Sequence, residues 1–326
     1  MRYIFFLCLI ISGQLVCAQL LLNNPSGISL TEPTFNSKLI KENKIKSINA
    51  VFSSKPDGKV IDDKGLSASF YFDTIGRLFS FYATNISSFT KEEKYVPAGY
   101  QYGRKINDAY TSEQYFYKYD TAFTFLIYNN QNRIIIKRTF AGDFCNTWYY
   151  EYYDNGKIKK QSNYKETNAG TSRTDFRLGV QTVLSEESFE YEQPVESQVK
   201  KKCLNDEKRV YKEIIINYDN KKNIISESSQ FLVGWIYIEN AYQYDDKSQL
   251  IEKKYSSNAN GNLQEKSAYE YDAKGNILVE KKYKNTILTN EINYLYDETN
   301  KLVKSQLNRA FTEKKIDIVK YSYTYY

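Results

Sequence analysis

The stretch Tyr269-Glu270-Tyr271-Asp272-Ala273-Lys274-Gly275-Asn276-Ile277 contains a complete strand–turn–strand signal. Tyr269 and Tyr271 are separated by one residue, so both rings lie on one face of a strand. Asp272 follows, where its carboxylate can accept hydrogen bonds from the backbone N–H groups of a turn. Gly275 tolerates a positive φ angle, and Ile277 begins the next apolar segment. The stretch therefore predicts a β-hairpin with an Asp-capped turn.

Related stretches recur along the chain at a nearly constant spacing. The anchors Asp219, Asp245, Asp272, Asp297 and Thr324 follow one another at steps of 25 to 27 residues. Such a period is typical of repeat architecture. Earlier copies in similar phase occupy residues 70–73, 100–103, 127–129, 152–154 and 189–192. About ten hairpin units, with roughly twenty antiparallel strands, are predicted in one all-β domain over residues 46–326.

Turn residues are predicted wherever the motif ends. Lys222 and Ser248 stand where other copies have Gly or Asn, so different turns are expected there. The dipeptide Asn155-Gly156 predicts a shorter turn. Tyr117-Lys118-Tyr119-Asp120 falls out of phase, so we do not take it as the mark of a unit. The predicted structural turn residues are Asp73, Gly76, Asp154, Gly156, Asp219, Asp245, Asp272, Gly275, Asp297 and Asn300.

The N-terminus predicts export. Arg2 precedes an apolar run over residues 4–11, and Val16-Cys17-Ala18 follows, which together are typical of a secretory signal peptide over residues 1–18. Lipidation at Cys17 is the rival interpretation, and it is disfavoured because Val16 is not small. The expected location is the periplasm, the outer surface or the extracellular space. No transmembrane segment is predicted, because the apolar run is too short to span a bilayer.

The rest of the chain is divided by composition. Residues 19–45 are predicted to form an N-terminal linker segment, within which residues 39–43 could make a short helical turn. Insertions near residues 83–99 and 163–187 interrupt the repeats. Insertions of this kind tend to emerge on one face of a repeat protein and to carry binding.

Several chemistries are excluded or disfavoured by composition. The chain contains no histidine, which excludes His-liganded zinc and catalysis by Ser-His-Asp or Cys-His. Its net charge of +6 comes from interspersed acidic and basic residues, so no nucleic-acid partner is expected. No metal site and no cofactor are predicted. Cys145 and Cys203 remain after processing, either as a disulfide or as two packed thiols.

The copies of Tyr-x-Tyr-Asp-x-x-Gly-x-Ile/Leu resemble the repeats of the YD-repeat proteins, a group related to the Rhs shells. Residues 73–78 and 272–277 carry the closest matches, and the resemblance covers roughly residues 70–326. It implies an extended or spiralling antiparallel sheet whose tyrosines lie on the packed face. The large shells enclose a C-terminal toxin, whereas this chain ends in another repeat strand. The toxin-delivery role therefore does not carry over.

Two classes of function remain open. The preferred one is an exported scaffold without enzymatic activity that binds a protein or a glycan at the cell envelope, and Trp148 and Trp235 are candidates for stacking on sugar rings. The alternative is a carbohydrate-binding protein or a glycan-acting hydrolase with a site built from the insertions. For a hydrolase, the candidate carboxylates are Asp143, Asp175, Glu186 and Glu187. No catalytic residue is assigned, and the oligomeric state stays open.

Overall fold

The computed structural model describes residues 33, 35–96, 98–101, 104–106, 110–141, 144–172, 175–259, 263–298 and 302–326. The predicted signal peptide and most of the linker lie outside these ranges, as does Asn300. The described residues form helix α1, Ser37–Glu42, and twenty strands. The strands are β1 Ile45–Pro56, β2 Asp62–Phe72, β3 Leu78–Val96, β4 Gly99–Gln101, β5 Arg104–Ile106, β6 Tyr110–Tyr128, β7 Ile134–Ala141, β8 Phe144–Tyr152, β9 Ile158–Asn168, β10 Leu178–Val195, β11 Gln198–Leu204, β12 Val210–Tyr218, β13 Ile224–Phe231, β14 Tyr237–Tyr244, β15 Leu250–Ser257, β16 Leu263–Tyr271, β17 Ile277–Lys284, β18 Ile287–Tyr296, β19 Val303–Ala310 and β20 Lys315–Tyr325.

The strands close into an antiparallel barrel. Eighteen of them form one sheet in which successive strands pair, and β1 pairs with both β2 and β20. The prediction of an extended or spiralling sheet was therefore wrong, although its all-β antiparallel character is confirmed. The physical reason is that β1 covers the edges of the first and the last repeat strand, and closure removes both edges. Strands β4 and β5 form a separate two-stranded sheet.

The tyrosine-bearing face of the sheet forms the inside of the barrel. Cross-strand neighbours lie on the same face of a sheet. The face that carries the motif tyrosines also carries Phe70 and Phe72. These two residues, Tyr269 and Tyr294 are all buried, although the barrel wall is a single sheet. Side chains crowd most closely on the concave side of a closed sheet, so we assign this face to the interior.

Helix α1 packs against the inner face near the first motif turn. Its N-cap Asn36 accepts a hydrogen bond from the backbone N–H of Leu39, and Ile40 is fully buried in the cluster that contains Phe70 and Phe72. Gly76 adopts a φ of 87°, and a Cβ there would lie 2.1 Å from the carbonyl oxygen of Ser37. Glycine is therefore required by conformation and by close approach. Within the described residues, no helix is long and apolar enough to cross a bilayer.

The motif Asp residues cap the turns. Both Lys274 N–H and Asn276 N–H donate to Asp272 Oδ1 at 2.8 Å, and Asp73, Asp219 and Asp245 accept the equivalent pairs of bonds. In these four copies the backbone N–H of the Asp donates to the carbonyl oxygen four residues further along the chain. At Asp297 the backbone N–H donates to Leu302 O, which lies five residues along. These carboxylates are acceptors that fix the backbone of the turn.

Two expectations about turns were wrong. Lys222 and Ser248 adopt φ angles of 65° and 62° and donate their backbone N–H to Asp219 O and Asp245 O at 3.0 Å, so their turns match the one at Gly275. Residues other than glycine enter this region at a modest cost. The turn at residues 153–157 is not shortened either: Tyr153 occupies the Asp position, and Asp154 lies one residue further into the turn.

In six of the units a tyrosine hydroxyl group forms a hydrogen bond to the preceding unit. The second ring of the motif donates its hydroxyl to a backbone carbonyl at the start of the second strand of the unit before it. Tyr271 donates to Leu250 O at 2.7 Å, and Tyr296 donates to Ile277 O at 2.8 Å. Outside this series, Tyr326 donates its hydroxyl to Phe72 O at the end of β2. The other members of this tyrosine ladder are Tyr128, Tyr152, Tyr244 and Tyr323.

Candidate aromatic binding surface

Strands β3 and β6 extend well beyond their neighbours. Strand β2 pairs with β3 only as far as Ala83, and β7 pairs with β6 only from Phe123 onward, whereas β3 and β6 pair with each other up to Val96 and Tyr110. Residues 84–96 and 110–122 therefore form a two-stranded projection, here called the arm. At a rise of about 3.4 Å per residue it is roughly 40 Å long.

The arm corresponds to the insertion predicted near residues 83–99, and its partner strand contains the out-of-phase Tyr117-Lys118-Tyr119. The predicted repeat copy at residues 100–103 lies partly outside the described residues. Residues 100 and 101 belong to β4, which among the described residues pairs with β5 and not with the barrel sheet, and residues 102 and 103 lie outside the described ranges.

Aromatic side chains occupy five of the six outer-face positions of β6 between residues 115 and 125, and Thr121 occupies the sixth. Tyr115, Tyr117, Tyr119, Phe123 and Phe125 share this face, since side chains alternate along a strand, and we call them the aromatic stripe. The rings of Tyr115 and Tyr117 are stacked with centroids 6.3 Å apart, and those of Phe123 and Phe125 are stacked at 5.5 Å. The stripe thus runs from the wall of the barrel onto the arm.

Phe89 adds a ring from the other strand of the arm. It is the cross-strand partner of Tyr117, and its ring centroid lies 5.8 Å from Tyr115 and 6.4 Å from Tyr117. Phe89 is 59% exposed and Tyr115 is 43% exposed. Two neighbouring rings, with the partly buried Tyr117 beside them, therefore present apolar faces to solvent, which is unusual for aromatic side chains of this size.

A groove separates these rings from the end of the β1–β2 hairpin. Its volume is about 710 Å³. Tyr119 donates its hydroxyl to Lys64 O, and this bond holds the start of β2 over the arm. The groove, called the arm groove below, is lined by Pro56, Lys59, Val60, Ile61, Asp62, Lys64, Ile86, Phe89, Tyr115 and Tyr117.

The two tryptophans predicted as binding candidates lie elsewhere. Trp148 is half-buried on the inner face of β8. Trp235 is 75% exposed in the turn between β13 and β14, where it adopts a φ of 53°. The structure brings neither of them to the arm groove, and it does not bring them together, because they lie on separate parts of the barrel wall.

Cys145 and Cys203 are both buried thiols, on β8 and β11 respectively. Two strands stand between them, and neighbouring strands are about 4.8 Å apart, so their separation exceeds the distance of about 7 Å that a disulfide can span. Of the two alternatives, the packed thiols are observed. Burial, followed by the charge of Glu187, raises the pKa of Cys203 to about 11.

The carboxylates proposed for a hydrolase do not form a pair. Glu186 and Glu187 are consecutive on β10, so they point to opposite faces. Glu186 pairs with Lys160 at 2.8 Å on the outside, and Glu187 accepts hydrogen bonds from Gln161 and Tyr211 on the inside. Asp175 caps the exposed loop after β9. Asp143 lies outside the described residues.

A fully buried carboxylate lies in the second predicted insertion instead. Glu166 Oε2 accepts hydrogen bonds from Thr147 at 2.7 Å and Arg138 at 3.0 Å, and Glu166 Oε1 accepts from Tyr149 and Gln181. Burial alone would raise the pKa of Glu166, but these donors lower it. All the hydrogen bonds of Glu166 are made within the protein. Glu166 therefore links the four strands β7, β8, β9 and β10 and has a structural role.

Within the described residues, no group of three or more His, Cys, Asp or Glu side chains is placed to hold a metal ion. The repeat period does not predict the aromatic stripe, because the stripe lies out of phase with the repeats. The signal that identifies it is the alternation of aromatic residues from Tyr115 to Phe125, which breaks that period.

Comparison with known proteins gives weak structural similarity. No family model and no curated protein matches the chain. A porin-like protein from Bacteroides uniformis is 10% identical, with 86% of this chain and 97% of that chain covered and a TM-score of 0.37. A porin-like protein from Bacteroides vulgatus is 10% identical over 62% of this chain and 94% of that chain, with a TM-score of 0.26. The TcdB2-TccC3-Cdc42 complex is 13% identical over 76% of this chain and 13% of that chain, with a TM-score of 0.29. At these scores the matches support no functional conclusion, and the YD-repeat resemblance stays a prediction.

Proposed function

We propose that the protein is an exported, non-enzymatic scaffold that binds glycan chains in the arm groove. The observation that carries this proposal is the exposure of Phe89 and Tyr115, which lie next to the partly buried ring of Tyr117 beside a groove. Aromatic rings offer flat apolar faces on which the C–H faces of sugars can stack, and the tyrosine hydroxyl groups supply polar edges. The barrel holds β3 and β6 at their bases, so the rings are positioned before a ligand arrives, which reduces the entropy lost on binding.

The outer face of the barrel supports a water-exposed setting for this scaffold. Lys254 and Lys266 are cross-strand neighbours on the outside, and Glu291 lies opposite Lys281 and Arg309. A strand that faces lipid carries apolar residues at alternate positions over about 25 Å. Charged residues at mid-strand on β15–β19 do not meet that requirement. We therefore infer that this part of the wall faces water in the compartment to which the protein is exported.

The test uses the mature chain, residues 19–326, and a panel of soluble polysaccharides in affinity gel electrophoresis, followed by calorimetry on any that retard the protein. We expect Phe89→Ala and Tyr115→Ala each to weaken binding about tenfold, which equals about 1.4 kcal/mol. Trp235→Ala is the matched control, since it removes an exposed aromatic ring far from the groove, and it should leave binding unchanged.

Two results would contradict the proposal. One is that no polysaccharide retards the folded protein. The other is that binding occurs but is unaffected by the substitutions at Phe89 and Tyr115. Circular dichroism of each variant shows whether the barrel is intact, so a loss of binding in a folded variant can be assigned to the groove.

A further inference from the structure

The arm groove combines exposed rings with positive charge on one wall. Lys59 and Lys64 both line it, and the Lys64 ammonium group lies 5.8 Å from the centre of the Tyr117 ring. The acidic residue in the lining is Asp62, whose Oδ2 is 3.7 Å from Lys64 Nζ. Both side chains of this ion pair are more than 40% exposed, so the pair contributes little and leaves ammonium donors available to a ligand.

The other acidic residues of this hairpin end are engaged elsewhere. Asp57 forms a two-pronged ion pair with Arg309 on β19, with one contact of 2.8 Å between Nη2 and Oδ2. Asp63 uses Oδ1 to accept a hydrogen bond from Gly65 N–H at 2.9 Å. The negative charges near the groove are thus partly neutralised or used by the turn, whereas the two lysines face the space beside the rings.

We propose that the glycan bound in the arm groove is anionic, a polysaccharide that carries carboxylate or sulfate groups. A sugar ring stacked on Phe89 or Tyr115 would place its acidic substituent toward the wall that Lys59 and Lys64 form. This inference rests on the proposed function, since it specifies the ligand of the same groove. An acidic peptide would satisfy the lysines, but it would not use the flat ring surfaces in the same way, and it is tested as a separate outcome.

The experiment compares probes that differ only in charge. Polygalacturonate is compared with its fully methyl-esterified form, and dextran sulfate with dextran, each titrated into the mature protein at low and at moderate salt. We expect at least one acidic member to bind about tenfold or more tightly than its neutral partner, and this preference should shrink as salt rises because the charges are exposed. The two pairs distinguish carboxylate from sulfate recognition.

Variants then separate charge from stacking. Lys59→Gln with Lys64→Gln should lower affinity for the acidic polymer about tenfold while leaving the weaker binding of the neutral polymer unchanged. Lys274→Gln, which removes an exposed lysine from a turn on the barrel rim, is the control and should have no effect. Poly-glutamate is the peptide probe. The glycan assignment would be overturned if the protein bound poly-glutamate as tightly as the acidic polysaccharide and the Phe89→Ala variant kept that binding.

The two proposals fail in different ways. Equal binding of the acidic and neutral polymers, abolished by Phe89→Ala but unaffected by the lysine substitutions, would overturn the anionic inference and leave the proposed function standing. Binding of no polymer at all would overturn both. A preference for the acidic polymer that is lost in the double lysine variant supports both.

Discussion

The tyrosine ladder makes a quantitative prediction about stability. Replacing Tyr296 by Phe removes only the hydroxyl group that donates to Ile277 O at 2.8 Å, and it leaves the ring packed in its cluster. An intramolecular hydrogen bond contributes about 0.5–1.5 kcal/mol net, so we expect the free energy of unfolding to fall by about 1 kcal/mol. Successive ladder positions lie about two strands apart, roughly 10 Å, so their effects should add. Six such substitutions should therefore cost about 6 kcal/mol, which is comparable with the whole stability of many domains.

The measurement is equilibrium unfolding in urea, followed by circular dichroism and by tyrosine fluorescence, for single Phe variants at Tyr271 and Tyr296 and for the sixfold variant. Tyr237→Phe is the matched control, because that ring is 40% exposed and lies outside the ladder. A midpoint that shifts in the ladder variants at an unchanged denaturant slope supports the reasoning. Ladder variants whose unfolding curves coincide with that of the Tyr237→Phe control would refute it.

Three further predictions concern the turns, the thiols and alkaline pH. Asp272→Ala removes two bonds to turn N–H groups and should lower the free energy of unfolding by about 1–2 kcal/mol in a urea titration, whereas Asp272→Asn should recover most of the loss. Without reductant, iodoacetamide should label Cys145 and Cys203 slowly in the folded protein and should label both of them after denaturation. A mass spectrum in which the denatured chain carries no label would contradict the structure with two thiols. Burial raises the pKa of Tyr128 from 10.0 to about 12, so its stabilising contribution is present below pH 10 and is lost as the pH rises toward 12. The free energy of unfolding should therefore fall less between pH 10 and 12 in the Tyr128→Phe variant than in the unmodified chain. Circular dichroism at alkaline pH measures this difference.

The local structure of the repeats was predictable because its causes are local. The spacing of Tyr269 and Tyr271 determines that both rings share a face, and Asp272 with Gly275 determines the turn, so hairpins follow from short stretches. Closure is decided elsewhere. It depends on β1, which carries no copy of the motif and pairs with β20, a strand that lies more than 250 residues away in the chain. A repeat period contains no information about the partner of its first and last strands.

The candidate site was only partly predictable for a related reason. The sequence predicts that the insertion near residues 83–99 carries binding, but it does not indicate that these residues form one half of a long hairpin with residues 110–122. Tyr117 and Tyr119 break the repeat phase, so the period assigns them no place in a unit. That break is itself informative: these tyrosines cannot join the inner ladder, so they are placed on the opposite face of the wall, where rings are exposed.

The exposed rings of the arm differ from the surface of the charged part of the barrel wall. Closure leaves β1 and β20 paired, and the outer wall over β15–β19 carries charged residues of both signs, so this part of the barrel offers neither an open strand edge nor a large apolar surface. The arm departs from both rules, because two strands continue about 40 Å beyond their neighbours and present Phe89 and Tyr115 to solvent. Stability of the barrel does not require this extension, since β3 already pairs with β2 and β6 within the wall. A surface that lowers solubility and adds nothing to closure is explained most simply by a ligand, and the lysines beside it indicate the charge that the ligand carries.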